Sequence, residues 1–373
     1  MKKLFIITGE YSGESHAANV VAELIKIRPD IEIQGVGGKT LEQAGAKIFI
    51  NHDKMGKAGL NFKIIKEHFE LGKKIVDYLK NEYKPDLVLL IDYGAFNLAI
   101  SRHLKKLGIK TFYFIPPQVW ASRKYRLKTI KKNIDKVLTI FPFEKKMYDK
   151  EGIDSEFVGH PLVKELPEPV NREEFFACHG LDKNKKLVAV FPGSRGFELK
   201  YLLDIFKKSA DILIKKDENI QVVFSHAPNL PDNVFNGKLD GYKVIKGENR
   251  ALLSAADALI LASGTVALEA AIYKTPMIIA YKGPFLFYLI YLLVRSINRA
   301  CLVNIITGKD YVEEFLMYKA RPDKIADKIL KLLNDENERN AQLKGLEEVT
   351  NMLSDKHCVE EVAHIIDKEL ING

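Results

Sequence analysis

Several segments of the 373-residue chain place residues able to do chemistry directly after short apolar runs. LVLLI ends in Asp92, with Asn97 just beyond it. A carboxylate at the end of a buried strand can take a proton from a hydroxyl or orient one, and it can equally cap the next helix. LFIIT runs into Gly9-Glu10-Tyr11-Ser12-Gly13-Glu14, where two glycines and a helix start suit a polar or anionic ligand. A tight turn with Ser12 or Glu14 as cap is the competing reading. LVAVF leads to Pro192-Gly193-Ser194-Arg195-Gly196, and ALILA leads to Ser263-Gly264-Thr265 with Glu269 one turn later. Small residues, hydroxyls and an Arg at helix starts are the ingredients of a phosphate cradle, while Glu269 can accept from ribose hydroxyls. Helix capping explains either loop alone; the pair, at equivalent places in one half of the chain, points to a nucleoside diphosphate. KTFYFI exits into Pro116-Pro117-Gln118-Val119-Trp120, followed by Arg123 and a basic stretch.

The apolar runs that position these loops alternate with helical patterns. Near-continuous apolar strands are what a parallel sheet covered on both faces requires. One such alternation spans the residues up to about 158, a Pro-rich acidic segment at 160–171 reads as a linker, and a second alternation follows. We expect an α/β protein of two Rossmann-like doubly wound domains, 1–165 and 166–373, facing across a cleft, with C-terminal helices that stay with the second domain or pack back on the first. Ligands then belong at the carboxyl ends of the strands.

With 47% hydrophobic and 28% charged residues, the composition excludes disordered, collagenous and many-spanning membrane classes. Cys178, Cys301 and Cys358 are far apart with no CxxC pair, so neither a disulfide framework nor a zinc site is expected, and a cytoplasmic setting fits. The net charge of +8 is concentrated, because Arg123–Lys136 holds seven Lys or Arg and one Asp. Such a stretch suits nucleic acid, an anionic membrane or a phosphorylated ligand, with a solvated helix face as the plain alternative. No GxGxxG, Walker A loop, GxSxG, HExxH or DxD is present. A nucleotide-sugar donor would therefore have its leaving diphosphate stabilised by Arg195 and helix dipoles, with no metal and no cofactor expected.

TGEYSGE, GVGG, KPDLVLLID with Phe96-Asn97, PPQVWASR, FPFEKKMYDKEGI, FVGHPL, FPGSRGFEL, LASGTVALEAA and PFLFYLIYLLV occur in this order from residue 1 to about 330. Together they closely resemble the lipid-A-disaccharide synthase family, glycosyltransferases of the GT-B fold. The resemblance implies inverting transfer of 2,3-diacylglucosamine from UDP-2,3-diacylglucosamine to the 6-hydroxyl of 2,3-diacylglucosamine 1-phosphate, with release of UDP. It implies Asp92 and Arg195 as catalytic residues and Gly193, Ser194, Ser263, Gly264, Thr265 and Glu269 as UDP contacts. Gly9, Glu10, Ser12, Gly13, Glu14, Asn97, Trp120 and Arg123 are then expected around the acceptor, with Glu10 and Glu14 as alternative bases. The chain departs from the family pattern at Ala95, at Ser122 and at Met317-Tyr318-Lys319, positions that bear on the acceptor.

Lipid substrates imply peripheral contact with the anionic inner face of the cytoplasmic membrane, through the Leu60–Leu79 helix (Leu60, Phe62, Ile64, Ile65, Phe69) or Phe285–Tyr291; core packing is the other reading of both. The apolar run 284–294 is too short to span a bilayer. Nucleic acid is not an expected partner, and a homodimer is allowed. Two alternatives stay open: another UDP-sugar enzyme of this fold, such as a peptidoglycan-type transferase or a UDP-N-acetylglucosamine 2-epimerase, and a non-catalytic nucleotide-sugar or lipid-binding homologue.

Overall fold

A computed structural model describes residues 1–9, 11–51, 62–284 and 299–372. Glu10, Leu60, the side chains of Phe62, Ile64 and Ile65, and the Phe285–Tyr291 run therefore lie outside the described residues. Two compact units are present: residues 1–161 joined by 353–373, and residues 162–352.

In the first unit the described strands are β1 (Lys3–Ile7), β2 (Glu32–Gly37), β3 (Lys47–Asn51), β4 (Leu87–Ile91), β5 (Lys110–Phe114), β6 (Lys136–Thr139) and β7 (Ser155–Phe157), in the order 3-2-1-4-5-6-7 and all parallel. Helices α1 (Tyr11–Ile27), α2 (Lys39–Gln43), α3 (Phe62–Tyr78), α4 (Gly94–Lys106), α5 (Arg126–Asn133) and α6 (Pro142–Lys150) connect them. β4 is buried at every position, because a parallel strand covered by helices on both faces has no solvent side. One face carries Leu4, Ile6, Val20, Leu24, Leu87 and Leu89, and the other carries Phe5, Ile7, Val88, Leu90 and Tyr113.

In the second unit β8 (Lys186–Phe191), β9 (Ile220–His226), β10 (Lys243–Lys246), β11 (Ala258–Ala262), β12 (Met277–Tyr281) and β13 (Glu314–Leu316) run parallel in the order 10-9-8-11-12-13. Its helices include α7 (Leu162–Glu165), α8 (Arg172–Cys178), α9 (Gly196–Lys216), α10 (Asn249–Ala255) and α11 (Val266–Ile272). Each sheet reverses its winding once, between β1 and β4 in the first and between β8 and β11 in the second. At such a switch point the loops leave in opposite directions and a crevice opens at the strand ends.

The unit boundary falls before Leu162 rather than after residue 165. Residues 162–170 are tied to the second unit: Arg250 donates to the Glu165 carbonyl (3.2 Å) and the Tyr273 hydroxyl to the Pro167 carbonyl (2.9 Å). The helix Cys358–Asn372 belongs to the first unit, where Val362, Ala363, Ile366 and Leu370 pack against β1 and α1 and Arg28 pairs with Asp367 at 2.7 Å. Among the described residues no helix is long and apolar enough to cross a membrane.

Candidate functional site

The switch point of the first unit brings together the ends of β1 and β4 and the first turn of α1. Asp92 and Tyr93 follow β4 with φ of 49° at both, a left-handed conformation that costs a non-glycine residue about 1–3 kcal/mol. Neighbours hold the turn in place: the Asp92 amide donates to the Phe114 carbonyl at 3.2 Å, while its carbonyl accepts from Asn97 Nδ2 (2.8 Å) and the Tyr113 hydroxyl (2.7 Å). The Asp92 side chain is left half-buried, with a methyl-sized position on Gly13 at 3.6 Å from its Cβ. Burial raises the pKa of its carboxyl above the ordinary value, against the pull of the Tyr93 amide and of His16 on α1. A carboxylate destabilised in this way is a better proton acceptor near neutral pH than an exposed one.

The switch point of the second unit joins the loops after β8 and β11, whose ends pair through Phe191 and Leu261. Gly193 is left-handed (φ 115°), and a methyl group there would overlap the Glu198 carboxylate. That carboxylate lies under the loop and accepts from the amides of Ser194 (2.9 Å) and Arg195 (3.2 Å), while Asn229 Nδ2 donates to the Ser194 carbonyl at 2.7 Å. The loop is therefore braced from inside and outside, and the Arg195 side chain, 71% exposed, projects from it with Glu198 at 3.4 Å. Across the switch point Gly264 and Thr265 are exposed, and the Ser263 hydroxyl donates to the Ala300 carbonyl at 3.3 Å. Glu269 is held by Arg250 at 3.7 Å; burial raises its pKa and Arg250 opposes the rise.

The profile of the family described as lipid-A-disaccharide synthetase matches residues 4–366. The chain belongs to this family. It is 37% identical to the lipid-A-disaccharide synthase of Syntrophus aciditrophicus (strain SB), over 95% of this chain and 93% of that protein. With the enzyme of Coxiella burnetii (strain CbuG_Q212) it is 35% identical over 98% of each. Solved structures with the same fold include a putative UDP-N-acetylglucosamine 2-epimerase from Listeria monocytogenes (TM-score 0.64, 13% identity, 96% of this chain and 99% of that one). Another is the glycotransferase of kitacinnamycin (TM-score 0.66, 12% identity, 99% of each chain). The protein is a glycosyltransferase of lipid A synthesis with the GT-B fold.

In this family member several residues expected at the acceptor turn out to hold the scaffold. Glu14 is buried, and its carboxylate accepts from the Leu41 amide (3.0 Å) at the start of α2, so it braces a helix end instead of facing the crevice. Asn97 is fully buried, with its Nδ2 given to the carbonyls of Ile91 and Asp92. Trp120 is buried against Phe141 and Phe143 and donates its indole N–H to Glu144 at 2.8 Å, anchoring the loop after β5. Gly9 lies under the Tyr93 ring, whereas Ser12 and Arg123 are exposed. In the second unit the amides of Ser194 and Arg195 are taken by Glu198. What remains for an anion is the amides of Gly196 and Phe197, which have no intrahelical acceptor, and the Arg195 guanidinium. Of the departures, Ala95 is exposed in the first turn of α4, while Met317 is left-handed and buried, and Tyr318 and Lys319 are exposed.

The sequence reading missed His16, Arg126, Glu198 and Arg250. His16 and Arg126 had a signal, since one follows the Gly9–Glu14 loop and the other lies in the basic stretch. Arg126 Nη1 is 3.5 Å from a methyl-sized position on Gly94, the first residue of α4. Glu198 also had one, since a glutamate three residues after a helix N-cap is the capping-box spacing, whereas Arg250 gave none, since its partners are set by the fold.

Glu144 carries a measurable consequence. It is 2% exposed, one carboxylate oxygen lacks a partner, and burial pushes its pKa from 4.5 to about 7 against the pull of Trp120 and the amides of Phe141 and Ile140. A carboxyl raised in the folded state binds its proton more tightly there, so its stabilisation is complete below pH 4.5 and is lost as pH rises to 7. The loss is about 3 kcal/mol. Denaturant titrations should show wild type losing that stability between pH 4.5 and 7 relative to Glu144→Gln; parallel curves for the two would contradict it.

Proposed function

We propose that the chain moves 2,3-diacylglucosamine from its UDP conjugate to the 6-hydroxyl of 2,3-diacylglucosamine 1-phosphate, inverting the anomeric carbon. Asp92 takes the hydroxyl proton as the oxygen forms its bond to the anomeric carbon. The bond from that carbon to the UDP oxygen breaks, and its electron pair leaves with UDP. Arg195, with the amides of Gly196 and Phe197, meets the charge on the departing diphosphate; Ser263, Gly264, Thr265 and Glu269 hold the nucleotide. The observation that carries this reading is the place of Asp92 at one switch point and of Arg195 and Thr265 at the other. Family membership supports the lipid chemistry, as do solved structures of the same fold with UDP-sugars, such as the UDP-N-acetylglucosamine 2-epimerase of Neisseria meningitidis (TM-score 0.62, 14% identity, covering 100% of each chain). Both substrates are lipids, so the reading includes peripheral contact with an anionic membrane, for which exposed Phe69 on α3 and the basic stretch are candidates.

One assay tests it. The purified chain is given both substrates in anionic vesicles with EDTA, and disaccharide, UDP and vesicle-bound protein are measured. Disaccharide 1-phosphate and UDP in equal amounts, with protein on the vesicles, are expected. UDP binding without turnover would instead favour a binding protein, and turnover of unacylated UDP-sugar alone would favour another enzyme of this fold.

A further inference from the structure

Tyr93 lies beside Asp92 in a fixed pose that proton transfer does not itself require. Its left-handed backbone (φ 49°, ψ 48°) at the start of α4 turns the ring off the end of β4 and across the end of β1. There the ring covers Gly9 so closely that a methyl group on Gly9 would overlap three of its carbons. From the other side α3 holds it: the Tyr93 hydroxyl is hydrogen-bonded to Nε2 of His68. His68 and Phe96 complete a cluster of three rings with centroids 5.4 to 5.9 Å apart. Backbone, hydroxyl and ring edge are thus all constrained, and the ring is a wall rather than a mobile side chain.

We propose that Tyr93, braced by His68, determines which acceptor hydroxyl reaches Asp92, admitting the primary 6-hydroxyl and holding back the one free secondary ring hydroxyl, at carbon 4. The inference rests on the proposed function. Asp92 is half-buried with Gly13 beside its Cβ, and the ring of the adjoining Tyr93 covers Gly9 just past the end of β1, so the ring stands as a fixed neighbour to an oxygen approaching Asp92. A primary hydroxyl sits on a methylene arm, which keeps the sugar ring one bond farther out. A secondary hydroxyl brings its ring carbon and both neighbouring carbons up to the wall. Tyr93 acts here as a specificity-determining residue, and His68 positions it.

The test compares wild type, Tyr93→Ala, Tyr93→Phe and His68→Leu as full-length proteins, with the natural acceptor and with its 6-deoxy analogue, reading KM for each substrate and product linkage by NMR. Wild type should make only the 6-linked product and nothing from the analogue. Tyr93→Ala should lose about tenfold in kcat/KM for the acceptor, keep its donor KM, and yield product linked through a secondary hydroxyl. Tyr93→Phe keeps the ring on Gly9 but loses the hydroxyl bond to His68, and should leak linkage less than Tyr93→Ala. If Tyr93→Ala does not fold, His68→Leu carries the test, with leaked linkage expected and strict 6-linkage overturning the proposal. An active wild type beside a Tyr93→Ala protein with unchanged acceptor kinetics and linkage overturns this inference alone. A wild type that forms no disaccharide overturns the proposed function and this inference with it.

Discussion

Asp92→Asn should lower turnover by about 10²- to 10⁴-fold, the range general base catalysis supplies, while UDP binds as before. The substitution is nearly isosteric and leaves the Asp92 amide and carbonyl, with their bonds to Phe114, Asn97 and Tyr113, in place. The one thing removed is a carboxylate able to accept a proton. The proposed UDP contacts lie in the other unit, so nucleotide affinity, read by calorimetry, is the internal control. Since burial raises the Asp92 pKa, the wild-type rate should fall as pH drops through that raised value, and the variant's residual rate should lose this dependence. A variant within tenfold of wild type would remove Asp92 as the base and leave Glu10 as the alternative, since Glu14 is occupied at α2.

Arg195→Ala should cost about 10²- to 10³-fold in kcat, as expected for loss of one strong donor to a developing anion. The side chain is 71% exposed and the loop beneath it is shaped by Glu198 and Asn229, so the melting temperature should not change. Lys at this position should recover only part of the rate, because an ammonium lacks the planar fork that grips two phosphate oxygens. A loss below fivefold in a folded variant would show that diphosphate stabilisation lies elsewhere.

The fold was legible wherever burial is two-sided. LVLLI, ALILA and LVAVF are apolar throughout because helices cover both faces of their sheets, and the loops after them are where a switch point must lie. The strands β3, β7 and β13 escaped notice because they sit at sheet edges, are short or half-buried, and lack that signature. Within the site, residue type alone does not say which way a polar side chain turns. Glu14, Asn97 and Trp120 have the chemistry of ligand contacts and spend it on a helix end, a strand end and a buried carboxylate. Tyr93 meets Gly9 and His68 only because β1, β4 and α3 are brought together across the sequence.

The first unit is written in two pieces, with the whole second unit between them. During synthesis the sheet carrying Asp92 emerges early yet waits for Cys358–Asn372 to cover Leu4, Ile6 and Val20, whereas residues 162–352, a compact unit of their own, emerge before that helix. The second unit can therefore be folded while the first still exposes apolar surface, so docking of Cys358–Asn372 closes the core of the first unit, and the interval before it is the one most open to aggregation.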